Sequence, residues 1–121
     1  MLTNEIRKWN SVDELVESMR GGYRETVVDV EGQKNDSRRV FAFTLSTCMW
    51  CTLGKKWLNE RGLTYSYLDV DKIPVEEKNR LKAELRELTG EQPRFPFLIL
   101  TGKGAWHSGY DPSAWEAMLR E

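Results

Sequence analysis

Val40-Phe41-Ala42-Phe43-Thr44-Leu45-Ser46-Thr47-Cys48-Met49-Trp50-Cys51 is the stretch whose reading decides the fold. Its first six residues are short, rich in β-formers and apolar on both alternating faces, as a strand buried in a parallel sheet requires. Two polar residues then lead into Cys48 and Cys51, the only two cysteines of the chain, at C-x-x-C spacing. Beyond them Cys51, Gly54 and Leu58 recur at i, i+3 and i+7, with Trp57 alongside and Gly62 placed to end the run, so a helix is expected. Thr47 is the expected N-cap. The unpaired amides and positive dipole end of the first turn then face the Cys48 sulfur and favour a thiolate there. Cys48 is therefore the expected nucleophile, and Cys51, one turn deeper, the thiol that resolves the mixed disulfide.

Downstream, Thr64 to Val70 reads as a second strand. A strand, a helix and a strand in succession make a right-handed parallel βαβ unit. Asp71 to Pro74 forms a turn with Pro74 suited to the first helical position. Leu81, Leu85 and Leu88 then give an apolar stripe on a helix of mixed charge, ended by Gly90. Pro93 and Pro96 bracket Arg94-Phe95 at the entry of a strand, Phe97 to Leu100, where a residue without an N–H donor needs a reason. Gly102-Lys103-Gly104 predicts a hairpin turn into a short strand, Ala105 to His107. Asp111-Pro112 predicts the N-cap and first residue of a last helix with Trp115, Met118 and Leu119 inward. Upstream, Ser11 to Glu14 reads as a capping box, and Val12, Leu15, Val16 and Met19 form a stripe stopped by Gly21-Gly22. Arg24 to Val30 alternates as a strand would. Residues 33–39 are polar and turn-rich, as a linker.

In order along the chain, Cys48-Met49-Trp50-Cys51, Gly54-Lys55, Leu58, Gly62, Tyr67-Leu68-Asp69-Val70-Asp71, Phe95-Pro96 and Ser108-Gly109-Tyr110-Asp111 resemble the glutaredoxin family. The Ser-Gly-aromatic element is also similar to the redoxins that feed electrons to ribonucleotide reductase. The resemblance implies an α/β, thioredoxin-like fold over residues 39–121, with a four-stranded mixed sheet flanked by helices. Residues 1–38 are then an N-terminal helix-strand extension packed on it, its strand added at the edge beside Tyr65 to Val70. It further implies a cis bond before Pro96, which sets the Phe95 backbone against the cysteines. Trp50, Phe95 and Tyr110 would converge as an apolar rim around them, with Trp106 a further candidate, and Asp111 would contact the amino group of glutathione. Lys55 and Arg94 are candidate partners for anionic substrate groups, and Gly109 belongs to the same substrate-binding set.

The activity expected is thiol–disulfide exchange, two electrons at a time, with protein disulfides. Met49 stands where the family usually has Pro, and Leu45 where glutathione-binding members usually have Lys. Losing that lysine removes a charge-assisted contact worth about 1.5–3 kcal/mol, or roughly a tenfold to hundredfold in affinity. The expected reductant is therefore a flavoprotein of the thioredoxin-reductase type, with glutathione the other candidate. The competing function class is a non-catalytic module that holds a metal or an iron–sulfur cluster. A zinc site needs four ligands, and with two Cys and the single His107 it could be completed only by carboxylates or another chain. His107 itself reads as a strand-end residue. No bound cofactor is expected.

With 18 basic against 19 acidic residues the chain offers no electrostatic case for nucleic acid or a membrane surface. The N-terminus has no apolar signal region and no stretch approaches a membrane span. A cytoplasmic setting is expected, in which a C-x-x-C pair is redox-active or metal-binding rather than structural.

Overall fold

The computed structural model describes residues 9–33 and 39–120. The elements follow in the order α1 (Val12–Gly22), β1 (Val28–Val30), β2 (Arg39–Thr44), α2 (Met49–Glu60), β3 (Tyr65–Asp69), a short 3-10 turn (Val70–Lys72), α3 (Val75–Thr89), β4 (Phe97–Thr101), β5 (Ala105–Ser108) and α4 (Pro112–Arg120). They form one five-stranded mixed sheet in the order β1-β3-β2-β4-β5. β2 runs parallel to β3 and antiparallel to β4, which pairs in turn with β5. This is the thioredoxin-like sheet expected, with the upstream strand added at the edge beside β3.

The double alternation of β2 explains its central place. Phe41 and Phe43 point to the face covered by α1 and α3, where they meet Leu15, Val16, Leu81, Leu85, Phe97 and Ile99. Val40 and Ala42 point to the other face, under α2 and α4, against Leu58, Leu98, Trp115 and Leu119. Because both faces are roofed by helices, the strand is apolar throughout.

The N-terminal segment is fastened at several points. Ser11 Oγ accepts the Glu14 N–H at 3.2 Å, and the Glu14 carboxylate returns to the Asn10 N–H at 3.0 Å, one residue further out than a regular capping box. Asp13 Oδ2 accepts the Gly102 N–H at 2.9 Å, and the Tyr23 hydroxyl donates to Glu77 of α3 at 2.9 Å. Gly32 donates its N–H to Thr64 Oγ1 at 3.0 Å. A Cβ on Gly32 would lie 2.3 Å from the Gly62 carbonyl oxygen, so only glycine fits there. Residues 34–38, most of the expected linker, lie outside the described residues.

α1 ends at Gly22, as expected, with the Tyr23 N–H closing its last turn on Met19 O at 2.9 Å. Three local expectations are corrected. β1 is three residues long rather than seven. Thr26 and Val27 both donate to the Tyr23 carbonyl, and a turn held this way cannot pair with β3 until Val28. Pro74 is the N-cap of α3 rather than its first residue. Cys48, not Thr47, caps α2. Among the described residues no helix is long and apolar enough to cross a membrane.

Candidate active site

Three loops meet where β2 gives way to α2. The first carries Cys48 in an extended conformation, φ −93° and ψ 124°, at the N-cap. Its Sγ accepts the N–H of Cys51 at 3.3 Å, the contact a serine or aspartate oxygen makes in an ordinary cap. The sulfur thus occupies the place where the helix offers a free amide and the positive end of its dipole. Cys48 is half-buried, whereas Cys51 is 1% exposed. Cys51 Sγ accepts the Leu45 N–H at 3.3 Å. Burial pushes the Cys51 thiol up to about 12, the bond with Cys48 adds to this, and the Leu45 amide and the Lys55 charge act the other way. Both cysteines are free thiols. One sulfur is reachable at a helix start, and the other is a protected thiol directly below.

The second loop supplies Arg94, Phe95 and Pro96, with the Phe95-Pro96 bond cis. The Phe95 carbonyl oxygen lies 4.0 Å from Cys48 Sγ. Pro96 has no N–H to leave unpaired, and its carbonyl accepts the N–H of Gly109 at 3.0 Å from the third loop. The Arg94 N–H donates to Ser108 Oγ at 2.7 Å, closing the same junction. Gly109 has φ +92°, a backbone region open to glycine and strained for other residues.

An aromatic train runs out from this junction. Trp50, 53% exposed, stacks on Tyr110 with ring centroids 6.2 Å apart. Tyr110 stands edge-on to Trp115 at 5.3 Å, and Trp115 to Trp57 at 5.6 Å. The Trp115 indole N–H donates to Gly109 O at 3.1 Å, so the buried end of the train is pinned to the loop. Trp50, Arg94, Phe95, His107, Ser108, Gly109, Tyr110 and Asp111 line an open cleft of about 360 Å³. Asp111 both lines the cleft and caps α4, accepting the Ala114 N–H at 3.2 Å, and its other oxygen lies 3.9 Å from His107 Nε2.

The chain belongs to the glutaredoxin family. A family model described as Glutaredoxin matches residues 40–105, more than half of the chain. The glutaredoxin of Methanosarcina mazei Go1 is similar in structure, with 26% identity, 78% of this chain and 87% of that one covered, and a TM-score of 0.63. Methanosarcina acetivorans methanoredoxin is similar at 27% identity, with 67% and 83% covered and a TM-score of 0.55. The glutaredoxin grx-1 of Archaeoglobus fulgidus, 19% identical with 74% and 100% covered, has the same fold at a TM-score of 0.59. No curated protein sequence matches significantly.

Within this glutaredoxin fold, most residues singled out from the sequence come together, and two do not. Trp106 faces the other side of the sheet, stacked on Phe97 at 5.6 Å, because the register of β5 sets it opposite Ile99. Lys55 turns away from the cleft, its Nζ 3.4 Å from Asp69 Oδ1 and 3.8 Å from the centre of the Tyr67 ring. Two features escaped the sequence reading. His107 lines the cleft, which only its place in the register of β5 with β4 reveals. Thr44 and Asp69 form a buried polar pair at the ends of β2 and β3, with the Thr44 hydroxyl donating to Asp69 Oδ1. Two polar residues closing otherwise apolar strands were the available signal. Among the described residues, no three His, Cys, Asp or Glu side chains gather as a metal site.

Proposed function

We propose that this glutaredoxin exchanges two electrons with protein disulfides through Cys48 and Cys51. The observation that carries the reading is the pairing of a half-exposed sulfur, bonded to an amide at a helix start, with a buried thiol one turn below it. The Cys48 thiolate attacks one sulfur of the substrate disulfide and expels the other as a thiolate. Cys51 then loses its proton and attacks Cys48, forming the Cys48–Cys51 disulfide and releasing the second substrate thiol. Phe95, beside the cis bond, offers its backbone to an extended substrate segment, and the exposed faces of Trp50 and Met49 offer apolar contact.

The reductant we favour is a flavoprotein disulfide reductase of the thioredoxin-reductase type. Leu45, where a lysine would meet a glutathione carboxylate, packs against the core instead. Lys55 is occupied by Asp69. Arg94 and Asp111 remain at the cleft and are the residues through which glutathione would bind.

Two measurements test this. Cys48→Ser should abolish reduction of a protein disulfide, whereas Cys51→Ser should accumulate a mixed disulfide through Cys48. Accumulation through Cys51 in the Cys48→Ser protein would reverse the roles. The fully oxidised protein, offered glutathione and a reductase side by side, should be reduced faster by the reductase. Efficient turnover with glutathione and none with any reductase would remove the preference.

A further inference from the structure

Lys55 lies one helical turn beyond Cys51, on the same side of α2. Its ammonium is held 3.4 Å from Asp69 Oδ1 over the ring of Tyr67, and Lys72 approaches the second Asp69 oxygen at 3.7 Å. Asp69 is only 6% exposed. The same Oδ1 accepts the hydroxyl of Thr44, and the next residue, Leu45, gives its N–H to Cys51 Sγ at 3.3 Å. The thiol is therefore held between a helix that carries a cation and a strand end fixed by that cation's counter-ion. The pair is partly buried, with Asp69 inside and Lys55 half-buried. An ion pair taken out of water is poor evidence of stabilisation, since apolar residues of the same volume often serve as well or better. Its placement asks for another reason.

Cys51 supplies one. It must remain a thiol while Cys48 attacks and become a thiolate to finish the exchange. Burial serves the first need, and a cation nearby serves the second. We propose that Lys55, held against the sheet by Asp69, is a positioning residue that sets how readily Cys51 attacks the mixed disulfide, and is not a contact for substrate. The inference rests on the reading of Cys48 and Cys51 as a working dithiol. In the step concerned the Cys51 S–H bond breaks and its proton goes to water. A Cys51–Cys48 bond forms, the bond from Cys48 to the substrate sulfur breaks, and the leaving thiolate takes up a proton. The charged and titratable groups acting on Cys51 are Cys48 at the N-cap and Lys55 on α2, while Tyr67 and Asp69 on β3 face Lys55 and Lys72 faces Asp69.

The test isolates that step. Reduced protein is treated at acid pH with one equivalent of dithiobis(nitrobenzoate), which leaves thionitrobenzoate on Cys48, and the adduct is transferred to neutral pH. Release of the coloured thiolate reports attack by Cys51. In parallel, NMR follows the Cβ shift of Cys51 against pH in the reduced protein. Lys55→Met should slow release about tenfold and move the Cys51 titration to higher pH, and Lys55→Arg should restore both. Lys55→Met/Asp69→Asn leaves no buried charge unpaired, should be slow in the same way, and stands in if the single variant does not fold. Release at the wild-type rate without Lys55, a slow release with an unmoved Cys51 titration, or no rescue by arginine would each overturn the proposal. A wild-type adduct that never releases would instead mean that the dithiol reading itself is wrong.

Discussion

A methyl group at position 54 would lie 2.9 Å from Trp115 Cη2 and 3.1 Å from Pro96 Cγ. Gly54 thus lets helix α2, the loop with the cis bond and the pinned end of the aromatic train close on one another. Replacing it with alanine sets two effects in opposition. The helix gains about 1 kcal/mol from the better propensity, but forcing a methyl against an indole and a proline ring costs about 1–3 kcal/mol. Neither ring is a flexible chain end, so overpacking should win. Gly54→Ala should lower the urea midpoint and slow the reaction of Cys48 with a disulfide, because the strain falls on Pro96. Wild-type stability and rate in this variant would show that the contact is looser than its geometry implies.

At the scale of elements, the loop between β2 and α2 is tied to the turn after β3. Asp71 accepts both the N–H of Ser46, at 3.0 Å, and its hydroxyl. The Ser46 hydroxyl holds the Asp71 carboxyl below its usual value, its modest burial opposes this, and the Ser46 amide and Lys72 help. A carboxyl depressed in the folded state stabilises the fold above its unfolded value, and that contribution disappears as pH falls through the folded value. Asp71 is exposed, so solvent screening keeps the effect small. Wild-type protein should therefore lose stability faster than Asp71→Asn over the most acidic part of a pH series. Parallel curves would mean that the tie carries no charge-dependent stability. The cap of α2 is a second contact at this junction, since the atom that satisfies the helix start is the attacking sulfur itself.

For the whole molecule, the question is how much the first 38 residues matter to the rest. α1 buries Val12, Leu15, Val16 and Met19 over Phe41, Phe43, Phe97 and Ile99. A fully buried side chain of this kind contributes about 1.5–3 kcal/mol, against a total stability of about 5–15 kcal/mol for a domain. Removing residues 1–38 should therefore lower the denaturation midpoint sharply. The cysteines sit toward the opposite, α2 side of the sheet, so whatever remains folded should keep part of its exchange chemistry. An unchanged midpoint would show that the segment adds nothing to the core.

The sequence by itself determined the strand, the C-x-x-C and the helix after it, the parallel βαβ unit and the last helix with its Asp-Pro start. These rest on periodicity, glycine and proline, which act within a few residues. The arrival of Trp50, Phe95, Tyr110 and Asp111 at one cleft could be expected from the family resemblance, since the thioredoxin-like fold brings those loops together. Only the tertiary structure decided that Cys48 caps its own helix, that Lys55 points at Asp69 and that Trp106 lies on the far face. The length of β1 was decided there as well. The place of Lys55 and that of Trp106 depend on what approaches from across the sheet, a carboxylate on the neighbouring strand and a register that turns one side chain up and the next down. The cap and β1 depend instead on backbone bonds that composition and periodicity do not reveal, an amide one turn on and a turn closed on Tyr23. A lysine reads the same in sequence whether solvent or a buried aspartate receives it, and the fold supplies the aspartate.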